Sequence, residues 1–436
     1  MKTFLTRVGV VAMSGAMLAT TALVGSSQAA AARKPVTIQF WYGLGGTLEG
    51  YVQKMVDRFN ASHPGIKVEA LYQGSYSGGG PEQQKLLTAI ASGSVPAVAQ
   101  MEANSIAPFA AAGALLPLDS LMKHSSWDQA GDFLHGMLPS GSWKGVQYAI
   151  PFNRSVPVLF YNAQMFHKAG IGSPPATWPE LAKDAKLLTH GSGKNKVYGF
   201  DVLPDWWPWE SWTLSSGGKI LNAAKNKALF DSAQAVAPMV IQQQLVKEGY
   251  AKVYAGSNYW TEDKTDFATG KTAMYPGSPG DIAQLDTQFT PSVRANWRIA
   301  FMPTMPGEKL VVPPGGGNAV IFRKAPKAQQ QAAWVFMQWF TAPAQQVWWS
   351  EHTGYLPVTG AAVDSAAYQK YLKTHPQGRV VIAELKHQGV MPLNTHYVQM
   401  LQFVEQGIQG VFDELKPVQA TMHGVAQRID QVMSGG

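Results

Sequence analysis

The pattern that most restricts the fold lies in residues 36–72, where two alternating apolar segments flank a helical one. Apolar and polar residues alternate at 36–40 and again at 66–72, which is typical of half-buried strands. Between them, apolar residues recur every three or four positions at 48–59, and His63-Pro64-Gly65 ends that pattern. The segment therefore predicts a right-handed βαβ unit with parallel strands.

The alternation of strand and helix continues along the chain. A helical pattern at 86–90 and a strand at 95–101 follow, and strands at 146–152 and 156–161 begin a second series. Thr177 is suited to cap the next helix, and the pattern becomes mainly helical at 328–340, 344–351 and 399–432. We predict an α/β protein of two lobes, each a mainly parallel sheet flanked by helices.

The first 31 residues have the three parts of a cleavable secretory signal. Lys2 and Arg7 precede an apolar stretch at 8–24, and a tract of small residues follows at 26–32. Gly9 and Ser14 interrupt this stretch, which is short for a membrane-spanning helix of about 20 apolar residues. We predict a signal peptide at 1–31, with cleavage near residues 29–31.

The absence of cysteine and the distribution of charge limit where the protein can work and what it can bind. The sequence has no cysteine, so it lacks a disulfide framework, a thiol nucleophile and the acylation site of a bacterial lipoprotein. We therefore predict a freely diffusing protein of the periplasm. The net charge of +7 is scattered, and its densest basic group is Arg323, Lys324 and Lys327. Nucleic-acid binders concentrate basic residues on one face, so we predict no nucleic-acid partner.

Sequence signatures of catalysis are missing. Gly193-Lys194 matches part of a phosphate-binding loop, but Leu188 stands where that loop needs glycine and Asn195 where it needs Ser or Thr. The sequence contains no Gly-x-Ser-x-Gly elbow and no His-Glu-x-x-His metal pair. We predict no enzyme activity, no catalytic residue, no metal and no cofactor. A secreted carbohydrate-active enzyme is the less favoured alternative.

Aromatic and glycine-rich segments remain as candidates for ligand binding. Trp206, Trp207, Trp209 and Trp212 crowd into one proline-containing segment, which we interpret as a loop. An indole face covers the C–H face of a sugar or polyol while polar neighbours bind the hydroxyls. Core packing is the alternative, and we expect no more than two of the four to contact ligand. Residues 313–318 are glycine-rich, which suits close backbone approach to a ligand or a hinge.

Several short motifs follow one another along nearly the whole chain after the signal. They are Phe40-Trp41, Arg58-Phe59-Asn60, Gly74-Ser75-Tyr76, Pro151-Phe152-Asn153, Ser155-Val156-Pro157-Val158-Leu159, Gly270-Lys271-x-Ala273-Met274 and Thr353-Gly354-Tyr355-Leu356-Pro357-Val358. In this order and spacing they resemble the extracellular solute-binding proteins of carbohydrate-type ABC importers, and most closely the glycerol-3-phosphate-binding branch of that family.

The resemblance implies a periplasmic-binding-protein fold, with a ligand cleft between two lobes. It implies an N-terminal lobe of residues 32–151 and 279–316, and a C-terminal lobe of residues 152–278 and 317–436. The positions that match ligand-contacting residues of the family are Tyr76, Glu102, Ser155, Trp206, Trp209, Ser278, Gly316 and Tyr355. For each of them a turn, core or helix-start role is the alternative.

The resemblance further implies function and partners. The protein would be the periplasmic substrate-binding component of an ABC importer, a monomer that works with inner-membrane permease subunits and their ATPase. Its small-molecule ligand would be glycerol-3-phosphate or a glycerophosphodiester. However, Leu401 stands where such a binder carries a phosphate-pairing arginine, and Arg154 lies on the opposite strand face from Ser155. A neutral sugar or oligosaccharide is therefore the alternative ligand.

Overall fold

The computed structural model describes residues 34–125, 127, 131–256, 258–389, 391 and 394–434, and the predicted signal peptide at 1–31 lies outside them. The strands of the described residues are β1 (Val36–Tyr42), β2 (Ile66–Tyr72), β3 (Val98–Glu102), β4 (Ser142–Trp143), β5 (Val146–Gln147), β6 (Ala149–Ser155), β7 (Val158–Asn162), β8 (Phe200–Val202), β9 (Ala251–Val253), β10 (Met274–Gly277), β11 (Trp297–Ala300) and β12 (Gly315–Ile321).

The α-helices of the same residues are α1 (Thr47–Ser62), α2 (Pro81–Ser92), α3 (Ala103–Ala111), α4 (Asp119–His124), α5 (Ala163–Lys168), α6 (Trp178–Leu188), α7 (Trp206–Leu214), α8 (Ala233–Lys247), α9 (Tyr259–Thr269), α10 (Ile282–Gln288), α11 (Pro291–Asn296), α12 (Lys327–Thr341), α13 (Pro343–Thr353), α14 (Gly360–Asp364), α15 (Ala366–Thr374), α16 (Gln377–Glu384), α17 (Tyr397–Phe412) and α18 (Val418–Ser434). Within this described part of the chain, no helix combines the length and apolar character that crossing a bilayer requires. The predicted late helical region is confirmed, although its last span is two helices, α17 and α18.

The first lobe is built on a five-stranded sheet in the order β2-β1-β3-β12-β6. Strands β1 and β2 are parallel, with Val36 opposite Ile66, so the predicted βαβ unit is confirmed. Strand β12 lies between β3 and β6 and is antiparallel to both, so this sheet is mixed and not mainly parallel as predicted. The apolar face of α1 packs into this lobe, where the Phe59 ring meets Phe336 of α12 at 5.0 Å.

The second lobe contains a three-stranded sheet, β10-β7-β11, and a two-stranded sheet, β8-β9. Both neighbours of β7 are antiparallel to it, so the prediction of a mainly parallel second sheet is wrong. The period-two pattern locates a strand but does not give its direction, which depends on where the chain re-enters the sheet. The predicted cap of α6 is confirmed, because Glu180 N–H donates to Thr177 Oγ1 at 3.4 Å.

The chain crosses between the lobes three times within the described residues. It leaves the first sheet between β6 and β7, returns between β11 and β12, and crosses again between α13 and α17. The predicted lobe limits stay a prediction, but strand pairing disagrees with them in two places. Strand β11 lies in the second sheet, although residues 279–316 were expected in the first lobe. All of β12 lies in the first sheet, although its residues 317–321 were expected in the second lobe.

Candidate ligand-binding site

A cavity of about 650 Å³ is lined by both lobes and by the segments that connect them. The first lobe contributes residues 43–48, 72, 75–77 and 102–104. The second contributes residues 205–207, 260, 261, 264, 278, 280, 281, 284, 287 and 288. Ser155, residues 314–316, Tyr355 and Met391 complete the lining. The volume suits a small molecule held between two walls.

The tryptophan-rich segment forms a helix rather than the predicted loop. Asp205 is the N-cap of α7, since its Oδ1 accepts the Trp207 N–H at 2.8 Å. Pro208 lies in the first turn, where a proline costs no helical hydrogen bond. Because α7 begins at Trp206, the first two indoles reach the cavity.

Two further indoles of α7 face the core instead. Trp209 is 1% exposed and packs edge-on against Phe230 at 5.1 Å, and Trp212 meets Trp178 at 6.1 Å. Each adds to the large apolar cluster of the second lobe. The helix therefore divides its tryptophans between ligand cavity and core.

Close backbone approach shapes one wall of the cavity. The indoles of Trp207 and Trp260 stack with their ring centroids 6.3 Å apart. A Cβ at Gly315 would lie 2.1 Å from Cζ2 of Trp207, so only glycine lets β12 approach this indole. The same atom would lie 2.6 Å from Ser155 Oγ. Strand β12 therefore packs closely against the stacked indoles of Trp207 and Trp260.

Glu102 is the carboxyl that the first lobe presents to the cavity. Its Oε2 accepts the Gly78 N–H at 3.0 Å and the Asn104 Nδ2–H at 3.1 Å. Burial raises the pKa of Glu102 to about 7, and these two hydrogen bonds oppose the rise. The negative charge of Asp205 across the cavity also raises the pKa. The protonated and ionised forms of Glu102 are therefore both populated near neutral pH.

Positive charge is scarce around the cavity. Lys264 is the sole lysine or arginine in the described lining, and its Nζ lies 3.4 Å from Asp281 Oδ1. Arg154 is 1% exposed and does not line the cavity, and burial lowers its pKa to about 10. Leu401 lies buried in α17, also outside the lining. Within the described residues, no unpaired cation meets the cavity.

Comparison with known proteins identifies the family to which this two-lobed chain belongs. Residues 54–376 match the profile of the bacterial extracellular solute-binding proteins. The chain belongs to this family. Members of this family bind small molecules outside the cytoplasm and work with a permease and an ATPase as components of transport systems.

Curated relatives and solved structures cover this solute-binding protein almost end to end. The sn-glycerol-3-phosphate-binding periplasmic protein UgpB of Yersinia pestis bv. Antiqua (strain Antiqua) is 27% identical over 91% of this chain and 92% of its own length. UgpB of Escherichia coli (strain K12) is 25% identical over 94% of both.

Two solved structures share the two-lobed fold. UgpB from Mycobacterium tuberculosis in complex with glycerophosphocholine has a TM-score of 0.79 at 24% identity, covering 92% of this chain and 98% of that one. Maltose-bound MalE3 from T. maritima has a TM-score of 0.81 at 21% identity, covering 91% and 100%. The predicted family and two-lobed fold are confirmed.

The cavity of the solute-binding protein brings most of the predicted site residues together. Those that line it are Tyr76, Glu102, Ser155, Trp206, Ser278, Gly316 and Tyr355. Trp209 does not, and Trp207 supplies the second indole of α7. Their contacts with ligand stay a prediction.

Other polar and aromatic groups of the lining were not predicted from the sequence. Asp205 is the N-cap of α7, Trp260 lies on α9, and Lys264, one turn further along α9, forms an ion pair with Asp281. Only Asp205 had a local signal. An aspartate three residues before a proline suits the N-cap of a helix, and that assignment would have placed its side chain beside Trp206.

Proposed function

We propose that this solute-binding protein captures a hydroxyl-rich ligand without net negative charge, in the first instance a sugar or sugar alcohol, for delivery to its permease. The lining supports this proposal because it joins carboxyl groups to indoles and leaves no cation unpaired among the described residues. Glu102 and Asp205 suit the acceptance of ligand hydroxyls, and Trp206 and Trp207 suit contact with a carbon skeleton.

A glycerophosphodiester with a cationic head group is the second candidate. The UgpB relatives and the glycerophosphocholine complex of the M. tuberculosis protein favour it. Such a ligand has no net charge, and its ammonium group would be attracted by carboxylates and indole faces. Free glycerol-3-phosphate is less well suited, because a phosphate monoester carries nearly two negative charges and Lys264 is already paired.

Calorimetry against maltose, trehalose, glycerophosphocholine and glycerol-3-phosphate should separate these ligands. We expect glycerol-3-phosphate to bind about ten- to a hundredfold more weakly than the best of the other three. The missing charge-assisted hydrogen bond is worth about 1.5–3 kcal/mol, which corresponds to that ratio. If glycerol-3-phosphate binds most tightly of the four, the proposal of an uncharged or zwitterionic ligand is wrong. The phosphate ligand implied by the family resemblance would then be favoured.

We further propose that the protein is exported by its N-terminal signal and works in the periplasm as a monomer, without cofactor, catalysis or nucleic acid. The periplasmic location of the UgpB relatives supports the compartment. N-terminal sequencing of the mature protein should begin within residues 30–32. Recovery of an uncleaved chain in the membrane fraction would contradict export by cleavage.

A further inference from the structure

Tyr259 lies between two carboxyl groups of the second lobe. Its hydroxyl is 2.8 Å from Asp205 Oδ2 and 3.0 Å from Glu405 Oε1. A phenol has one proton to donate, and an ionised carboxylate can only accept. Both contacts are therefore hydrogen bonds only when one of the two carboxyl groups carries a proton of its own.

Hydrogen bonding distinguishes the two carboxyl groups. Asp205 also accepts the Trp207 N–H at 2.8 Å and the Trp260 Nε1–H at 3.0 Å, and such donors stabilise the ionised form. Burial raises the pKa of both carboxyl groups, to about 8 for Glu405, where the negative charge of Asp205 adds to the rise and one backbone donor, the Trp206 N–H, opposes it. The proton thus resides on Glu405, which donates to Tyr259, and Tyr259 donates to Asp205.

No lysine or arginine of the described residues forms an ion pair with Glu405 or Asp205. The titratable side chains that act on Glu405 are Asp205, the N-cap of α7, Tyr259 on α9 and Glu102 at the end of β3. On the packed helices α18 and α8, Arg428 donates to Gln406 at 3.3 Å and Lys247 to Gln243 at 2.7 Å. None of the described ion pairs includes these carboxyl groups.

Gly78, in the turn between β2 and α2 of the first lobe, lies close to Glu405. A Cβ on Gly78 would lie 3.3 Å from Trp206 Nε1 and 4.0 Å from Glu405 Oε2. Asp205 lines the cavity and Glu405 does not. Of the two oxygens of Asp205, Oδ1 accepts one protein hydrogen bond and so retains a lone pair for a ligand hydroxyl.

We propose that Glu405 is a positioning residue of the ligand site, whose protonated carboxyl holds Tyr259 on Asp205 and so keeps Asp205 in place for a ligand hydroxyl. Loss of that proton leaves one phenolic hydrogen between two carboxylates, which repel each other across Tyr259. Ligand affinity then falls. This inference rests on the proposed function, because it requires a hydroxyl-rich ligand at Asp205.

Calorimetry with maltose and with glycerophosphocholine at pH 7 and pH 9 tests the role in binding. Wild-type affinity should fall about tenfold across this interval, because the protonated fraction of a group that titrates near pH 8 falls by that factor. Glu405→Gln keeps a donor for Tyr259, so it should retain the affinity at pH 7 and lose the fall at pH 9. Glu405→Ala should bind weakly at both values.

The exposed Glu414 provides a matched control, because its carboxylate pairs with Lys416 at 2.8 Å away from the cavity. Glu414→Gln should keep the wild-type pH dependence. Glu102 also titrates near this interval and its charge acts on Glu405, so the quantity compared is the difference in pH dependence between the wild type and Glu405→Gln. A tenfold fall that persists in Glu405→Gln would overturn the proposal.

Thermal unfolding without ligand tests the proton on Glu405 independently of the proposed function. A carboxyl with a raised pKa in the folded state stabilises the protein at low pH, and this contribution is lost as pH rises towards the folded-state value. The Tm of the wild type relative to Glu405→Gln should therefore decline from pH 5 to pH 8 and level off above it. If neither maltose nor glycerophosphocholine binds, the proposed ligand class fails, whereas a constant Tm difference refutes the protonated Glu405.

Discussion

Replacement of Trp209 with alanine is expected to lower the free energy of unfolding by about 3–5 kcal/mol, the range for truncating a buried tryptophan. The indole is 1% exposed, packs against Phe230 and belongs to the core cluster of the second lobe. Truncation leaves a cavity that the surrounding helices fill only in part. Urea unfolding followed by circular dichroism measures the change.

Two controls separate this core role from ligand contact. Trp209→Phe keeps an aromatic ring against Phe230 and should destabilise the protein less than the alanine variant. Leu187→Ala removes a side chain that is 54% exposed and should change stability by less than about 0.5 kcal/mol. A Trp209→Ala protein with normal stability but lost ligand affinity would return Trp209 to the ligand site.

Replacement of Trp206 with alanine is expected to weaken ligand binding by about 30- to 1,000-fold, as truncation of a buried aromatic anchor costs about 2–4 kcal/mol. Trp206 lines the cavity and also lies against Gly78 of the opposite lobe. Its removal therefore takes away ligand contact and part of the contact between lobes. Calorimetry with maltose and glycerophosphocholine gives the affinity.

Leu187 offers a control on the same lobe. Its side chain is exposed and lies outside the cavity lining, so Leu187→Ala should bind as the wild type does. Wild-type affinity in Trp206→Ala, measured on a protein of normal stability, would show that ligand binds elsewhere.

Local periodicity was sufficient to predict the βαβ unit of the first lobe but not the antiparallel strands of either lobe. The βαβ unit follows from one chain segment, so its pattern contains all that is needed to pair β1 with β2. Strand β7 instead pairs with β10 and β11, which lie more than a hundred residues further along the chain. Their direction depends on the path of the intervening helices, which no single window contains.

Some site residues could likewise be predicted from the sequence, and others could not. Family order was enough to select Tyr76, Glu102 and Ser155, which line the cavity. The choice between Trp207 and Trp209 required the first residue of α7, because successive helical residues point about 100° apart. Interpreting this segment as a loop removed that information.

Glu405 had no sequence signal at all. It lies on α17, and its partner Tyr259 lies on α9, so their shared contact with Asp205 arises only in the folded chain. A glutamate on an amphipathic helix is ordinarily exposed to solvent. Only the three-dimensional arrangement distinguishes it from the other acidic residues of the late helices.

Because the chain crosses between the lobes three times, the two walls of the cavity meet equally often at any protein concentration. Each link tethers one wall of the cavity to the other, so their encounter is intramolecular and occurs at a high effective concentration. Diluting the protein does not separate the walls, and a proteolytic nick in one link leaves two tethers intact. Capture of solute is thus a property of the single molecule, even in a very dilute compartment.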